Sequence, residues 1–310
     1  MTVVWLPFTG PDQVRERLGE LSAGLEPDFY GASGDALPGS VDEVELYVLP
    51  YMQPGAREIM ARMPRLRVVQ TLTAGVDDVL PHVPDGVTLC NAAGVHDAST
   101  AELAVALTLA SGRHLDVFAR QQAESRWTSV PGTALADRRV LIFGYGHIGQ
   151  AIEARLAGFE VASITRVARR ARDEPRVHRT DELLDLLPET DVLLIIAPLT
   201  PETEHVIDAE ALRRLPDGAT VVNVARGRLV DTDALLAETS SGRLHAALDV
   251  TDPEPLPADH PLWRVPNVLI SPHVGGASSA FQPRADRLIK EQLVRFAAVE
   301  PLINQVPVPR

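Results

Sequence analysis

Cysteine is nearly absent from these 310 residues. Cys90 stands alone, so no disulfide can close within the chain and no cysteine cage can hold a metal. Long apolar runs are absent too: no stretch reaches the roughly 20 residues that a membrane-crossing helix needs. Positive charge is in deficit. Against 42 Asp and Glu stand 29 Lys and Arg, a net charge of −13, which argues against nucleic acid or an anionic membrane as a partner. The opening residues Met1-Thr-Val-Val-Trp-Leu-Pro7 read as a short strand and lack the charged-then-apolar plan of a secretory signal, so a cytoplasmic setting is expected. There is no internal repeat and no low-complexity segment. What is present is ordinary for a globular protein, with 45% hydrophobic and 23% charged residues, and the length suits two domains, each able to bury a core.

The chain is organised around Gly144-Tyr145-Gly146-His147-Ile148-Gly149. An apolar run, Arg139 to Phe143, precedes it, and a helix-forming segment, Gln150 to Gly158, follows. This is the context of a dinucleotide-binding turn. Gly144 permits the tight strand-to-helix turn, Gly146 lets backbone approach a pyrophosphate, and Gly149 lets helix and strand pack closely. The helix start offers unpaired N–H groups to the phosphates. A second strand, Glu160 to Thr165, would close the unit.

The first third alternates predicted strands (2–6, 28–30, 44–49, 67–71, 87–89) with helices over 11–23 and 54–63, each opened by a proline. A long helix is expected from Ser99 to about Glu124, with Ser99-Thr-Ala-Glu102 as a capping box. Further βα units follow, with strands at 192–197, 220–225, 245–250 and 267–271, and helices at 182–187, 209–215 and 232–238. A final helix, 284–299, leads to an extended tail over 306–310. The alternation predicts an α/β fold of parallel sheets flanked by helices, divided as 1–98 plus 283–310 and 99–282.

In such sheets ligands sit beyond the carboxyl ends of the strands. Three polar residues fall just past strand ends: Arg226, Glu254 in a proline-built turn, and His273 before Gly275-Gly276. Each alone has a plain structural explanation; together they suit carbonyl reduction. An arginine can hold a carboxylate and the adjacent carbonyl oxygen. A histidine can move a proton near neutral pH, and a nearby carboxylate favours its charged form.

At this point the chain resembles the D-isomer-specific 2-hydroxyacid dehydrogenase family over nearly its whole length, in the manner of glyoxylate/hydroxypyruvate reductases. The carrying segments are Thr73-Ala-Gly-Val-Asp77, Gly144 to Gly149, Ala197-Pro-Leu-Thr-Pro-Glu-Thr203, Asn223 to Asp231, Ala247 to Pro255 and Ser271-Pro-His-Val-Gly-Gly276. The resemblance implies two Rossmann-like domains, the outer one flavodoxin-like and substrate-binding, with the active site in the cleft between them. It implies Arg226, Glu254 and His273 as catalytic residues. Ala74, Gly75 and Val76, together with Arg226, would take the substrate carboxylate. Asp249 would lie near the nicotinamide carboxamide, and Ala197, Pro198, Thr203, Ala225, His273 and Gly275 would line the coenzyme. Tyr51, Met52 and Phe281 are candidates for the substrate pocket. It also implies a homodimer, with the 102–124 helix and Trp127 as candidate contacts. The chain departs from the family in having Thr251 where an aromatic residue is common. Glu254 stands where formate dehydrogenases have glutamine. A corepressor-like, nucleotide-sensing role and a phosphite-type dehydrogenase are the alternatives, and the expected reaction joins a nicotinamide coenzyme to a small 2-oxo or 2-hydroxy acid.

An acidic residue about 20 positions past the fingerprint would select NAD(H). Here Thr165 takes the expected acidic position, and Arg166, Arg169 and Arg170 follow. A hydroxyl and several cations suit a 2′-phosphate, so NADP(H) is expected to be preferred, with NAD(H) possible.

Overall fold

The computed structural model describes residues 1–31, 36–53 and 55–307. In chain order the elements are β1 (Thr2–Leu6), α1 (Pro11–Arg17), β2 (Leu25–Phe29), β3 (Val44–Val48), β4 (Val68–Gln70), β5 (Thr88–Cys90), α2 (Asp97–Gly112), α3 (Leu115–Ala123), β6 (Arg139–Phe143), α4 (His147–Leu156), β7 (Ser163–Ala168), β8 (His178–Arg179), α5 (Leu183–Leu186), β9 (Val192–Ile195), α6 (Ala209–Arg214), β10 (Thr220–Asn223), α7 (Thr232–Ser240), β11 (His245–Leu248), β12 (Val268–Ile270), α8 (Phe281–Ala298) and β13 (Gln305–Val306). The chain divides into two units, one of residues 1–96 with 279–310, the other of residues 97–278. The divisions expected from the sequence lie a few residues later, at 98/99 and 282/283.

In the first unit the sheet order is β13-β5-β4-β3-β1-β2. All pairings are parallel except β13 with β5. Strand alternation feeds two cores: Val4 and Leu6 point into one buried cluster and Val3 and Trp5 into the other. That is why β1 reads as one apolar run. Cys90 lies fully buried, and burial pushes its thiol up to about 11, which removes it as a nucleophile at neutral pH.

The second unit holds a seven-stranded, all-parallel sheet in the order β12-β11-β10-β9-β6-β7-β8. Leu141 and Phe143 of β6 enter one core, Val140 and Ile142 the other. The order reverses between β6 and β9, and in a doubly wound sheet that crevice is where ligands bind.

Several boundaries differ from the expectations, each for a local reason. The first helix stops at Arg17 because Gly19 turns left-handed (φ 75). Of the helix expected over 54–63, residues 55–63 form only a 3-10 helix, Glu58–Arg62, and Pro54 lies outside the described residues. The expected 99–124 helix is two helices. His114 adopts φ 55, and Gly112 O accepts a hydrogen bond from Thr133 N at 2.7 Å instead of continuing the helix. Ser99 is no cap, since α2 starts at Asp97; its hydroxyl bonds that of Ser278 at 2.6 Å. The strand after the fingerprint is Ser163–Ala168, not 160–165. Glu160 turns left-handed (φ 56) and its carbonyl accepts from Asp137 N, which delays the strand. The tail pairs with β5 through Gln305–Val306, and residues 308–310 lie outside the described residues.

Candidate active site

The cradle for a nucleotide begins where β6 ends. Gly144 has φ 109, and a Cβ there would meet Ala197 N at 2.3 Å and Ile196 C at 2.4 Å. Only glycine lets β6 turn this close to the end of β9. The Gly144 and Tyr145 N–H groups both donate to Val167 O, at 2.9 and 3.0 Å, which ties the turn to β7. Gly149 packs tightly, its missing Cβ 2.8 Å from Gly144 O. Gly146 is different. Its φ is −99, and no atom lies within 4 Å of where its Cβ would be. The fold makes no demand for glycine here, and the space borders the start of α4, which no side chain caps. An open volume beside uncapped helical amides fits a pyrophosphate. Around it, Ile148 is half-buried and exposed His147 lies 3.6 Å from Asp97. Ala197 backs Gly144. Beyond it the Thr203 hydroxyl donates to Pro198 O at 2.7 Å and accepts from Thr200 N at 2.8 Å, shaping the loop that faces the turn.

The later start of β7 corrects the reading of the coenzyme-selecting residues. Thr165 lies in mid-strand rather than at the strand end. Arg166 also lies in the strand, and its guanidinium is held by both carboxylate oxygens of Glu153 on α4, through Nε at 2.7 Å and through Nη2. Arg169, just past the strand, is exposed.

The three strand-end residues come from neighbouring strands of the same sheet. Arg226 follows β10. Its carbonyl accepts from Asn223 Nδ2 at 2.9 Å, while Asn223 Oδ1 accepts from the buried Ala225 N–H at 3.0 Å. Asn223 is itself buried and braces this turn, a role unnoticed in the sequence although a lone amide in an apolar strand signals one. Next to it, Gly227 packs so closely on the Thr251–Asp252 backbone that a Cβ would lie 2.0 Å from Thr251 O. The arginine turn and the segment leading to Glu254 are thereby locked together. His273 Nδ1 is hydrogen-bonded directly to the Glu254 carboxylate, so Nε2 is the ring nitrogen outside that bond. The His273 backbone is left-handed (φ 52), a costly state for a non-glycine residue that its surroundings must enforce.

Asp249 enforces it. Asp249 is buried, its Oδ1 accepts from the Ser271 hydroxyl (2.6 Å) and Val274 N (2.9 Å), and its Oδ2 accepts from Gly275 N (2.8 Å). The His273 N–H donates to Asp249 O at 2.8 Å. Thr100 of α2 adds a hydrogen bond to Gly275 O at 3.2 Å. The carboxylate therefore clamps the histidine loop and keeps one acceptor position on Oδ2.

The His273 pKa is raised above its ordinary 6.5, first by the hydrogen bond to Glu254. Burial and the nearby Arg226 charge act the other way, and Asp249 adds a smaller upward pull. Because the folded value exceeds the unfolded one, the pair's contribution to stability is complete below 6.5 and is lost as pH rises through the folded value. A proton-donating His273 should then remain active to higher pH than a free imidazole. Glu254→Gln keeps a hydrogen-bond acceptor but removes the charge, leaving burial and Arg226 to dominate. The alkaline limb of the pH–rate profile for carbonyl reduction should move to lower pH. An unmoved limb in that variant would show that His273 does not set it.

Within the first unit, Thr73–Val76 forms a tight loop after β4. The Ala74 carbonyl accepts from Asn91 Nδ2 (2.9 Å), Gly75 O from the Thr73 hydroxyl (2.8 Å), and Val76 O from Val79 N and Leu80 N. Among the described residues, the N–H groups of Ala74, Gly75 and Val76 donate no hydrogen bond. Carbonyls turned inward and amides left over make a nest suited to a carboxylate. Beside it, past the ends of β3 and β4, lies a cavity of about 170 Å³ lined by Tyr51, Met52, Leu72 and Thr73. Its wall also carries the Arg57–Asp78 ion pair, at 2.6 Å. Phe281 is not part of that lining. It packs at a tilt against Tyr51 and stacks on His96, with ring centroids 4.3 and 5.2 Å away.

The architecture agrees with comparisons to known proteins. The family model described as D-isomer specific 2-hydroxyacid dehydrogenase, NAD binding domain, matches residues 105–275. The glyoxylate reductase of Korarchaeum cryptofilum is 32% identical over 279 residues, covering 86% of this chain and 84% of that protein. A D-isomer specific 2-hydroxyacid dehydrogenase from Xanthobacter autotrophicus, crystallised in complex with NADPH and MES, has a TM-score of 0.82 at 31% identity, covering 99% of this chain and 98% of that one. The NADPH-dependent glyoxylate/hydroxypyruvate reductase from Sinorhizobium meliloti, in complex with NADP and malonate, has a TM-score of 0.79 at 26% identity, covering 99% and 97%. The chain belongs to the D-isomer specific 2-hydroxyacid dehydrogenase family.

Proposed function

We propose that the protein reduces a small 2-oxo acid reversibly to the D-2-hydroxy acid, preferring NADPH to NADH. The coenzyme, when bound, supplies the hydride received at C2. Arg226 holds the substrate carboxylate and the adjacent carbonyl oxygen, stabilising negative charge as it grows there. His273 Nε2 delivers the proton to that oxygen, and Glu254 keeps the imidazole oriented and charged. In the oxidative direction His273 is the base. The Ala74–Val76 amides are assigned to the carboxylate as well, and the cavity by Tyr51 and Met52 to the rest of the substrate. The remaining acceptor of Asp249 Oδ2 suits the coenzyme's carboxamide. The single observation that carries this reading is the direct His273–Glu254 hydrogen bond beside Arg226, past the strand ends of the sheet that begins with the glycine turn.

Glyoxylate, hydroxypyruvate, pyruvate and bulkier 2-oxo acids, each followed by loss of NADPH absorbance, form the decisive panel. At least one should turn over, and faster with NADPH than with NADH. No turnover with any of them would end the oxo-acid reading, and a strong NADH preference would end the coenzyme assignment. The enzyme is assigned to the cytoplasm as a homodimer. Fully exposed Trp127 and half-exposed Leu115 of α3 offer apolar surface for the second copy. Light scattering should give twice the chain mass, and a monomer at micromolar concentration would count against the dimer.

A further inference from the structure

Several arginines follow the glycine turn, and they are not equivalent. Arg166 is already committed. It and Glu153 are both about four-fifths buried, and each stabilises the other's charge: the bond to Arg166 holds Glu153 below the usual carboxylate range, and the bond to Glu153 raises Arg166. Turning Arg166 toward a phosphate would strand the largely buried Glu153 carboxylate next to a second anion. Arg169 is exposed and close enough to Glu202 to help lower that carboxyl, after the larger effect of the Thr200 hydroxyl, so part of its charge is offset across the turn.

Arg172 differs from both. Its Nη2 donates to Tyr145 O at 2.6 Å, and its guanidinium lies over the Tyr145 ring, 5.4 Å from the centroid. Arg166 lies 5.6 Å from the same ring, so two guanidinium groups contact Tyr145. The backbone of Arg172 is pinned by reciprocal hydrogen bonds with Val177, at 3.1 and 2.8 Å. Among the described residues no carboxylate pairs with Arg172, and a bond to a neutral carbonyl leaves its charge uncompensated. Tyr145 is the residue between the first two glycines of the turn, and its N–H is tied to β7 at Val167. The end of that second strand beside the turn is where a doubly wound sheet receives the adenosine ribose. An anchored, uncompensated guanidinium is thus already in place there.

Resting on the NADPH reading above, we propose that Arg172 is the residue that recognises the coenzyme's 2′-phosphate, and that Glu153 withholds Arg166 from that task. Arg172 needs no rearrangement of a buried pair to serve a dianion; it gives up one hydrogen bond to a carbonyl and gains charge-assisted ones.

Binding can be measured without turnover, by titrating adenosine 2′,5′-bisphosphate and AMP into the protein by calorimetry. Arg172→Gln should weaken the bisphosphate roughly ten- to hundredfold, the range for a lost charged hydrogen bond, and leave AMP within about twofold. Arg166→Gln should change the ratio of the two affinities by less than about threefold. The NADPH/NADH ratio of kcat/KM should follow the same order, and Arg172→Lys should restore part of it. Thermal melts of the exposed Arg172→Gln variant check that it folds. Unchanged bisphosphate affinity in Arg172→Gln, or an equal loss in Arg166→Gln, overturns the assignment of Arg172. A parent protein that binds AMP as tightly as the bisphosphate overturns the NADPH preference itself.

Discussion

His273→Asn should cut turnover by roughly 10²–10⁴-fold, the usual worth of a positioned proton donor, while coenzyme affinity changes little. Asparagine is the informative replacement because it tolerates the left-handed backbone that this position requires (φ 52). An alanine variant would confound lost chemistry with backbone strain. His273→Ala should lose as much turnover and also melt lower, whereas His273→Asn should melt close to the parent. The assignment rests on the bond from Nδ1 to Glu254, which leaves one ring nitrogen to act on the substrate. Retention of more than about a tenth of parental kcat in the asparagine variant would remove the proton-donor role.

Gly227→Ala should be nearly as damaging without touching any reacting group. The new methyl would lie 2.0 Å from Thr251 O, 2.1 Å from Thr251 C and 2.6 Å from Asp252 N. All three are backbone atoms, so no side chain can rotate away. Either the Arg226 turn or the segment leading to Glu254 must move by on the order of 1 Å, a displacement that costs about 10²-fold in rate when it misplaces catalytic groups. Destabilisation of about 3 kcal/mol or more is expected as well, read as a fall in melting temperature and in soluble yield. Gly146→Ala is the control. Nothing lies within 4 Å of its added methyl, so the fold should tolerate it, and the loss should appear in coenzyme affinity. If Gly146→Ala bound coenzyme normally, the open space there would not belong to the pyrophosphate.

These contrasts mark what a linear reading could and could not supply. The strands Thr2–Leu6 and Arg139–Phe143 have the same ends in sequence and structure, because an apolar run bounded by a turn signal carries its own limits. Residues past strand ends were equally visible, since α/β topology alone brings such positions to one edge. The register of β7 was not. It depends on a left-handed turn at Glu160, where no glycine announces it. The break at His114 was hidden for the same reason. The commitment of Arg166 could not be foreseen, because Glu153 lies thirteen residues earlier on the face of another element. Of the basic segment, sequence shows the charge, and only tertiary contacts show which cations are already neutralised.

The division of the chain carries a consequence for biogenesis. Ala285, Leu288, Ile289 and Leu293 of α8 fill the same buried cluster as Val4, Leu6, Leu46 and Val48, and β13 completes the sheet edge at β5. The leading ninety-odd residues therefore leave the ribosome without the helix that covers them. The inserted unit, continuous from 97 to 278, can finish folding first. At common elongation rates the wait is on the order of 10–40 s, during which an apolar sheet face stays uncovered and open to chaperones or to another nascent copy. Yield in a host should thus respond to translation speed and chaperone supply.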